Sequence, residues 1–102
     1  MDRVTMLNEI LAHNPNDAFA LYGLAMEYSK SGEVERALEQ FTRLISTNPD
    51  YTAGYFMAAQ TLARAGRIEE AKKMLSDGIA SAKRTRNAHA QSEMEAMLGE
   101  LE

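Results

Sequence analysis

The chain repeats itself at a spacing of 34 residues, and this constrains its fold more than any other feature. Gly32 returns as Gly66, Glu35 as Glu69, Ala37 as Ala71, Ile45 as Ile79 and Ala25 as Ala59. Conservative pairs fill the intervals: Tyr22 with Phe56, Lys30 with Arg64, Val34 with Ile68, Phe41 with Leu75. The spacing also holds towards the N-terminus. Asn14-Pro15-Asn16 becomes Asn48-Pro49-Asp50, and Val4, Leu7, Ile10 and Leu11 become Leu38, Phe41, Leu44 and Ile45. The organisation expected is a half repeat over 1–16, repeats over 17–50 and 51–84, and a tail over 85–102, in a single domain.

Each repeat reads as a pair of helices. Leu21, Leu24, Ala25 and Tyr28 share one face of a first helix; Val34, Ala37, Leu38, Phe41, Leu44 and Ile45 form the stripe of a second. Between them Ser31-Gly32 supplies a break, because glycine takes the left-handed conformation that closes a helix. Asn48-Pro49-Asp50 ends the second helix: proline disfavours helix in the residue before it, and Asp50 is placed to cap the next start. The same logic returns with Tyr55, Ala58, Ala59 and Leu62, then Gly66, then Ile68, Ala71, Leu75 and Ile79. The pattern predicts helices near 2–13, 17–31, 33–47, 51–65, 67–84 and 88–101. Ala25, Ala59, Ala37 and Ala71 mark close approaches of helix backbones, where a bulkier side chain would cost roughly 1–3 kcal/mol.

The order Leu21, Leu24-Ala25, Tyr28, Gly32, Ala37, Phe41, Pro49 resembles the tetratricopeptide repeat, and the second repeat follows it with Tyr55, Ala58-Ala59, Leu62, Gly66, Ala71 and Leu75. It departs at Gly78, read as a position tolerant of a small residue, and at Lys83, where the closing proline is missing. The resemblance covers roughly residues 1 to 84. It implies an all-α, right-handed solenoid of antiparallel helix pairs with a concave groove, and a role in protein–protein interaction. The family's chaperone-tail binders carry a ring of Lys, Asn and Arg on that groove. Here the corresponding positions are Tyr22, Met26, Phe56 and Gln60, so that specificity is not carried over. The tail, with Ala90, Met94, Met97, Leu98 and Leu101 in an amphipathic stripe, reads as the capping helix that an open-ended repeat stack needs. Strict register would set Ser92 and Glu93 on the packing face; a connection longer by one or two residues through Arg84-Thr85-Arg86-Asn87 would set Met94 and Leu98 there instead.

Little in the chain suggests catalysis. The sequence holds no cysteine, which removes thiol nucleophiles, disulfides and cysteine zinc sites. His13 and His89 have no partner at metal-ligand spacing, and the dispersed glycines make no phosphate loop. Glu69-Glu70 and Glu93-Glu95 read as solvated charge on helix faces. The expectation is a protein that is not an enzyme and needs no cofactor and no metal. A net charge of -4, from 11 basic and 15 acidic residues, argues against a nucleic-acid partner. The one basic cluster, Lys83-Arg84-Arg86, is read as cations favoured at a helix C-terminus. No apolar run approaches membrane-spanning length and Met1-Asp2-Arg3-Val4 leads into no signal-like segment, so the cytoplasm is the setting expected.

Function is expected on the first helices, which in this family line the concave surface. Phe19, Tyr22 and Met26 remain after the helix-pairing face is assigned; Phe56 and Gln60 share their stripe in the second repeat, with Met57 beside it. Arg64 and Lys30 lie at the rim and would favour an acidic residue on a bound segment. Met94 and Met97 are assigned to the core, Met26 and Met57 to the groove. Two functions fit: an adaptor that binds an apolar or amphipathic segment of another protein, and a structural subunit that self-associates as a homodimer through the groove or a solenoid end.

Overall fold

The structure, a computed structural model, describes residues 2–102; Met1, the first residue of the expected half repeat and N-terminal segment, lies outside them. The described residues form six helices: α1 (Arg3–His13), α2 (Ala18–Lys30), α3 (Val34–Thr47), α4 (Thr52–Arg64), α5 (Ile68–Arg84) and α6 (Ala88–Leu101). Each begins and ends within one residue of the range read from the pattern.

The turns explain the agreement. Gly32 and Gly66 both have φ of +79°, and each sits in the same closed turn. The Glu33 N–H donates to the Tyr28 carbonyl and the Gly32 N–H to that of Ser29, at 2.9 and 3.2 Å. Arg67 and Gly66 donate likewise to Leu62 and Ala63. These satisfy carbonyls that a helix end leaves open. Asp2, Asp17 and Asn87 cap α1, α2 and α6 by accepting from the N–H groups of Thr5, Ala20 and Ala90. Asp50 does not cap α4 as the sequence suggests. Its carboxylate instead accepts from Arg84 Nε at 3.1 Å, while Arg84 Nη2 donates to the Pro49 carbonyl at 3.1 Å. The basic cluster is thereby divided, with Arg84 fastening the α3–α4 turn to the end of α5.

Packing follows the small residues. Ala25, Ala37, Ala58, Ala59 and Ala71 have no exposed surface. Ala25, Ala37, Phe41 and Ala58 form the middle of the core; Leu7, Ala20 and Leu24 form its N-terminal part. Tyr55, Ala59, Leu75, Ala82 and Met94 form its C-terminal part. Gly78 is a stricter requirement than a tolerated small residue: a Cβ there would lie 2.6 Å from both Tyr55 Cβ and Met94 Sδ. Ser81 and Thr52, both buried, share a hydrogen bond of 2.9 Å where α5 crosses the start of α4.

The helices stack in chain order, each on the next. The backbones of the first helices also approach one another, α2 with α4 and α4 with α6, whereas those of α3 and α5 stay apart. An array closer on one side than the other curves towards the close side, so α2, α4 and α6 line its inner face. The result is an all-α solenoid, 40 × 29 × 18 Å in extent, with α6 as its C-terminal cap.

Candidate functional site

On the inner face, side chains at helical spacing from α2 and α4 stand next to one another. Tyr22 and Tyr51 bring their rings to 5.4 Å between centroids, tilted at 45°. Burial, and then the neighbouring Tyr51, pushes the Tyr22 phenol up from its usual pKa. Ser29 and Thr61 join the two helices through a 2.8 Å hydrogen bond. Tyr22, Met26 and Met57 are half-buried, each packed against the Ala25–Ala37–Phe41–Ala58 cluster. Phe56 is also half-buried but belongs to the C-terminal cluster, beside Met97 and Leu98 of α6.

The candidate residues therefore divide. Phe56 and Gln60 come together with Glu93, Ala96, Met97 and Glu100 around an open hollow of about 430 Å³ between α4 and α6. Phe19, at the start of α2, is 59% exposed. Arg64 is exposed, with its Nε 3.4 Å from the Gln60 carbonyl of its own helix. Met94 is fully buried; Met97 is half-buried, touching the core on one side and the hollow on the other.

The sequence pattern assigns neither the glutamates nor Ala96 of this hollow to the groove; Glu93 reads there as solvated charge. They are legible in retrospect. α6 begins two residues later than strict 34-residue register requires, at Ala88. With that offset Glu93, Ala96 and Glu100 fall on the positions of Met57, Gln60 and Arg64.

A larger concavity, about 800 Å³, lies on the outer side where α3 and α5 are splayed. Leu38, Leu62 and Met74 contribute apolar surface to it, and charged residues surround them. Arg67 clasps its mouth, pairing with Glu35 of α3 and, at 2.6 Å, with Glu70 of α5. The hydrogen bond from Arg67 holds the Glu70 carboxylate below its usual pKa.

These features define a class: a solenoid of two-helix repeats whose first helices present a partly apolar inner face. A tetratricopeptide repeat family model matches residues 28–92, and a second tetratricopeptide repeat model matches residues 6–39. The chain belongs to the tetratricopeptide repeat family. It is 29% identical to the TPR repeat-containing protein PA0015 of Pseudomonas aeruginosa over 96 residues, covering 94% of this chain and 91% of that one. The solution structure of a tetratricopeptide repeat domain protein from Salinibacter ruber superposes with a TM-score of 0.80 at 30% identity, covering 87% of this chain and 90% of that one. PcrH, in complex with the chaperone binding region of PopD, shares the fold with a TM-score of 0.88 at 18% identity, over 96% of this chain and 74% of that one. The family is in general a non-enzymatic module for protein–protein interaction. No helix of the described residues is long and apolar enough to cross a membrane.

Proposed function

We propose that the chain is a cytoplasmic adaptor whose inner groove holds an apolar or amphipathic segment of another protein. The observation that carries this reading is the run of half-buried apolar side chains across three successive first helices. Tyr22 and Met26 stand on α2, Phe56 and Met57 on α4 and Met97 on α6, with an open hollow at Phe56. A side chain moved from water onto such a surface stabilises a complex by up to roughly 1.5–3 kcal/mol, enough for a few anchors to hold a segment. The exposed Lys30 and Arg64 at the ends of α2 and α4 favour an acidic residue on it. The working unit is proposed to be the repeats 17–50 and 51–84, flanked by the half repeat 1–16 and the cap 85–102. PcrH, which shares the fold and whose structure holds a region of PopD, is a precedent for a solenoid of this shape gripping a segment.

Self-association through the groove or a solenoid end is the competing reading, and the large apolar side chain of Phe19, left open to water, is the observation that favours it. Phe56→Glu, and Tyr22→Glu with Met26→Glu, test both. Folded variants should lose the partner in pull-down, or lose a dimer in light scattering. Folded variants that lose neither would show that the groove is not the working surface.

A further inference from the structure

The hollow between α4 and α6 differs in charge from the rest of the groove. Phe56, Ala96 and Met97 line it with apolar surface, and Gln60, Glu93 and Glu100 complete the lining. The two glutamates are seven residues apart on α6, about 10 Å along the axis and on the same face. Among the described residues Glu100 is in no ion pair, and the ion-pair partner of Glu93 is His89, whose Nε2 lies 3.3 Å away and is cationic only when protonated. The nearby Arg64 turns its Nε to the Gln60 carbonyl. Two exposed carboxylates thus line a partly apolar hollow, and among the described residues no lysine or arginine lies within ion-pair distance of either.

We infer that this end of the groove selects a basic residue, arginine or lysine, on the partner segment. Its methylene stem lies over Phe56 and Met97 and its cationic head is received by Glu93 or Glu100. Lysine and arginine are suited to such a place because their stems are apolar and their heads are not. A carboxylate lining the hollow binds the head by a charge-assisted hydrogen bond, with arginine able to present two donors at once. An acidic side chain here would meet like charge on both sides. The chain's net charge of -4 adds a weak attraction of the same sign at longer range. The partner is then a segment with an apolar anchor, a basic residue beside it at the α6 hollow, and the acidic residue that Lys30 and Arg64 favour elsewhere along the groove. This inference rests on the groove being the working surface.

The test is selection of a displayed random-peptide library on the whole chain. Isothermal titration of the selected peptides follows, against the wild type, Phe56→Glu and the double variant Glu93→Gln with Glu100→Gln. The glutamines replace exposed carboxylates, and circular dichroism verifies that each variant is folded. The expected result is enrichment of arginine or lysine beside an apolar residue. Affinity should drop roughly 3- to 10-fold in the double glutamine variant. Binding should also weaken as salt is raised. Peptides that need Phe56 but carry neutral or acidic residues beside the apolar one, and bind the glutamine variant equally well, would overturn the inference and leave the groove reading standing. A selection that yields no binder, or only binders indifferent to Phe56→Glu, would overturn both.

Discussion

Replacing Gly78 with alanine tests how the C-terminal helix is seated. Alanine is normally the better helix residue, by about 1 kcal/mol over glycine in a helix interior. At Gly78 the added methyl would stand 2.6 Å from Tyr55 Cβ and 2.6 Å from Met94 Sδ. The sulfur ends a flexible side chain and can move; Tyr55 Cβ is fixed to the α4 backbone. Tyr55 is further tethered by its hydroxyl, which donates to the Pro49 carbonyl at 2.8 Å. Relief must come from separating α5 from α4, and the overpacking cost falls in the upper part of the roughly 1–3 kcal/mol range. After the gain in helix propensity, Gly78→Ala should destabilise by about 1–2 kcal/mol, a fall of roughly 5–15 °C in melting temperature. Gly99, on α6, is the control: a Cβ there meets nothing within 4 Å. Gly99→Ala should hold or raise stability, by up to about 1 kcal/mol. Both are measured by urea and thermal unfolding followed by circular dichroism. If Gly78→Ala were as stable as the wild type, the close approach of α4, α5 and α6 would be wrong, and with it the placement of the α4–α6 hollow.

Three other changes probe separate parts of the argument. Ala71→Leu should destabilise by roughly 1–3 kcal/mol, whereas Lys73→Leu, on the exposed side of the same helix, should change stability by no more than about 0.5 kcal/mol; equal melting temperatures would refute the packing register. Arg86, with φ of +56°, holds the place in its turn that Gly32 and Gly66 hold in theirs. Arg86→Gly should therefore raise stability by about 1 kcal/mol in urea unfolding, and a loss would mean that the arginine side chain has a role beyond the turn. Thr52→Val leaves the buried Ser81 hydroxyl without its 2.9 Å partner and should cost about 1–3 kcal/mol, much of it recovered when Ser81→Ala is added. No recovery in the double variant would show that the hydroxyl pair is not the source of the loss.

The fold was legible because each level of the sequence carried the same message. Glycine at 32 and 66 fixed where first helices end, since the closed turn needs a positive φ. Alanine at 25, 37, 59 and 71 showed where backbones approach, and all four are buried. Asp50 was misread because capping preference is local, while the carboxylate is claimed by Arg84 from 34 residues away. Gly78 was misread for a related reason. Its requirement comes from Tyr55 and Met94, on two other helices, and the pattern of α5 alone carries no sign of them.

The candidate site was legible only as far as the repeat extends, and the reason lies in the last turn. α5 has 17 residues where α3 has 14, and it ends through Thr85-Arg86-Asn87 and not an Asn-Pro turn. Asn87 donates its N–H to the Ala82 carbonyl and Arg86 to that of Lys83, at 2.8 and 3.2 Å. This is the geometry of the Gly32 and Gly66 turns, placed where strict repetition calls for the other kind. The substitution of one turn for another advances α6 by two residues. Met94 then enters the core, and Glu93 and Glu100 arrive on the groove face. In strict register Glu93 would have stood where Ala59 is buried, a position a charge cannot hold without a partner. The same shift that makes the cap pack therefore makes one end of the groove acidic. Arg86→Gly should leave this register unchanged while relieving the strained residue, so stability can be raised without moving Glu93 or Glu100 away from the hollow.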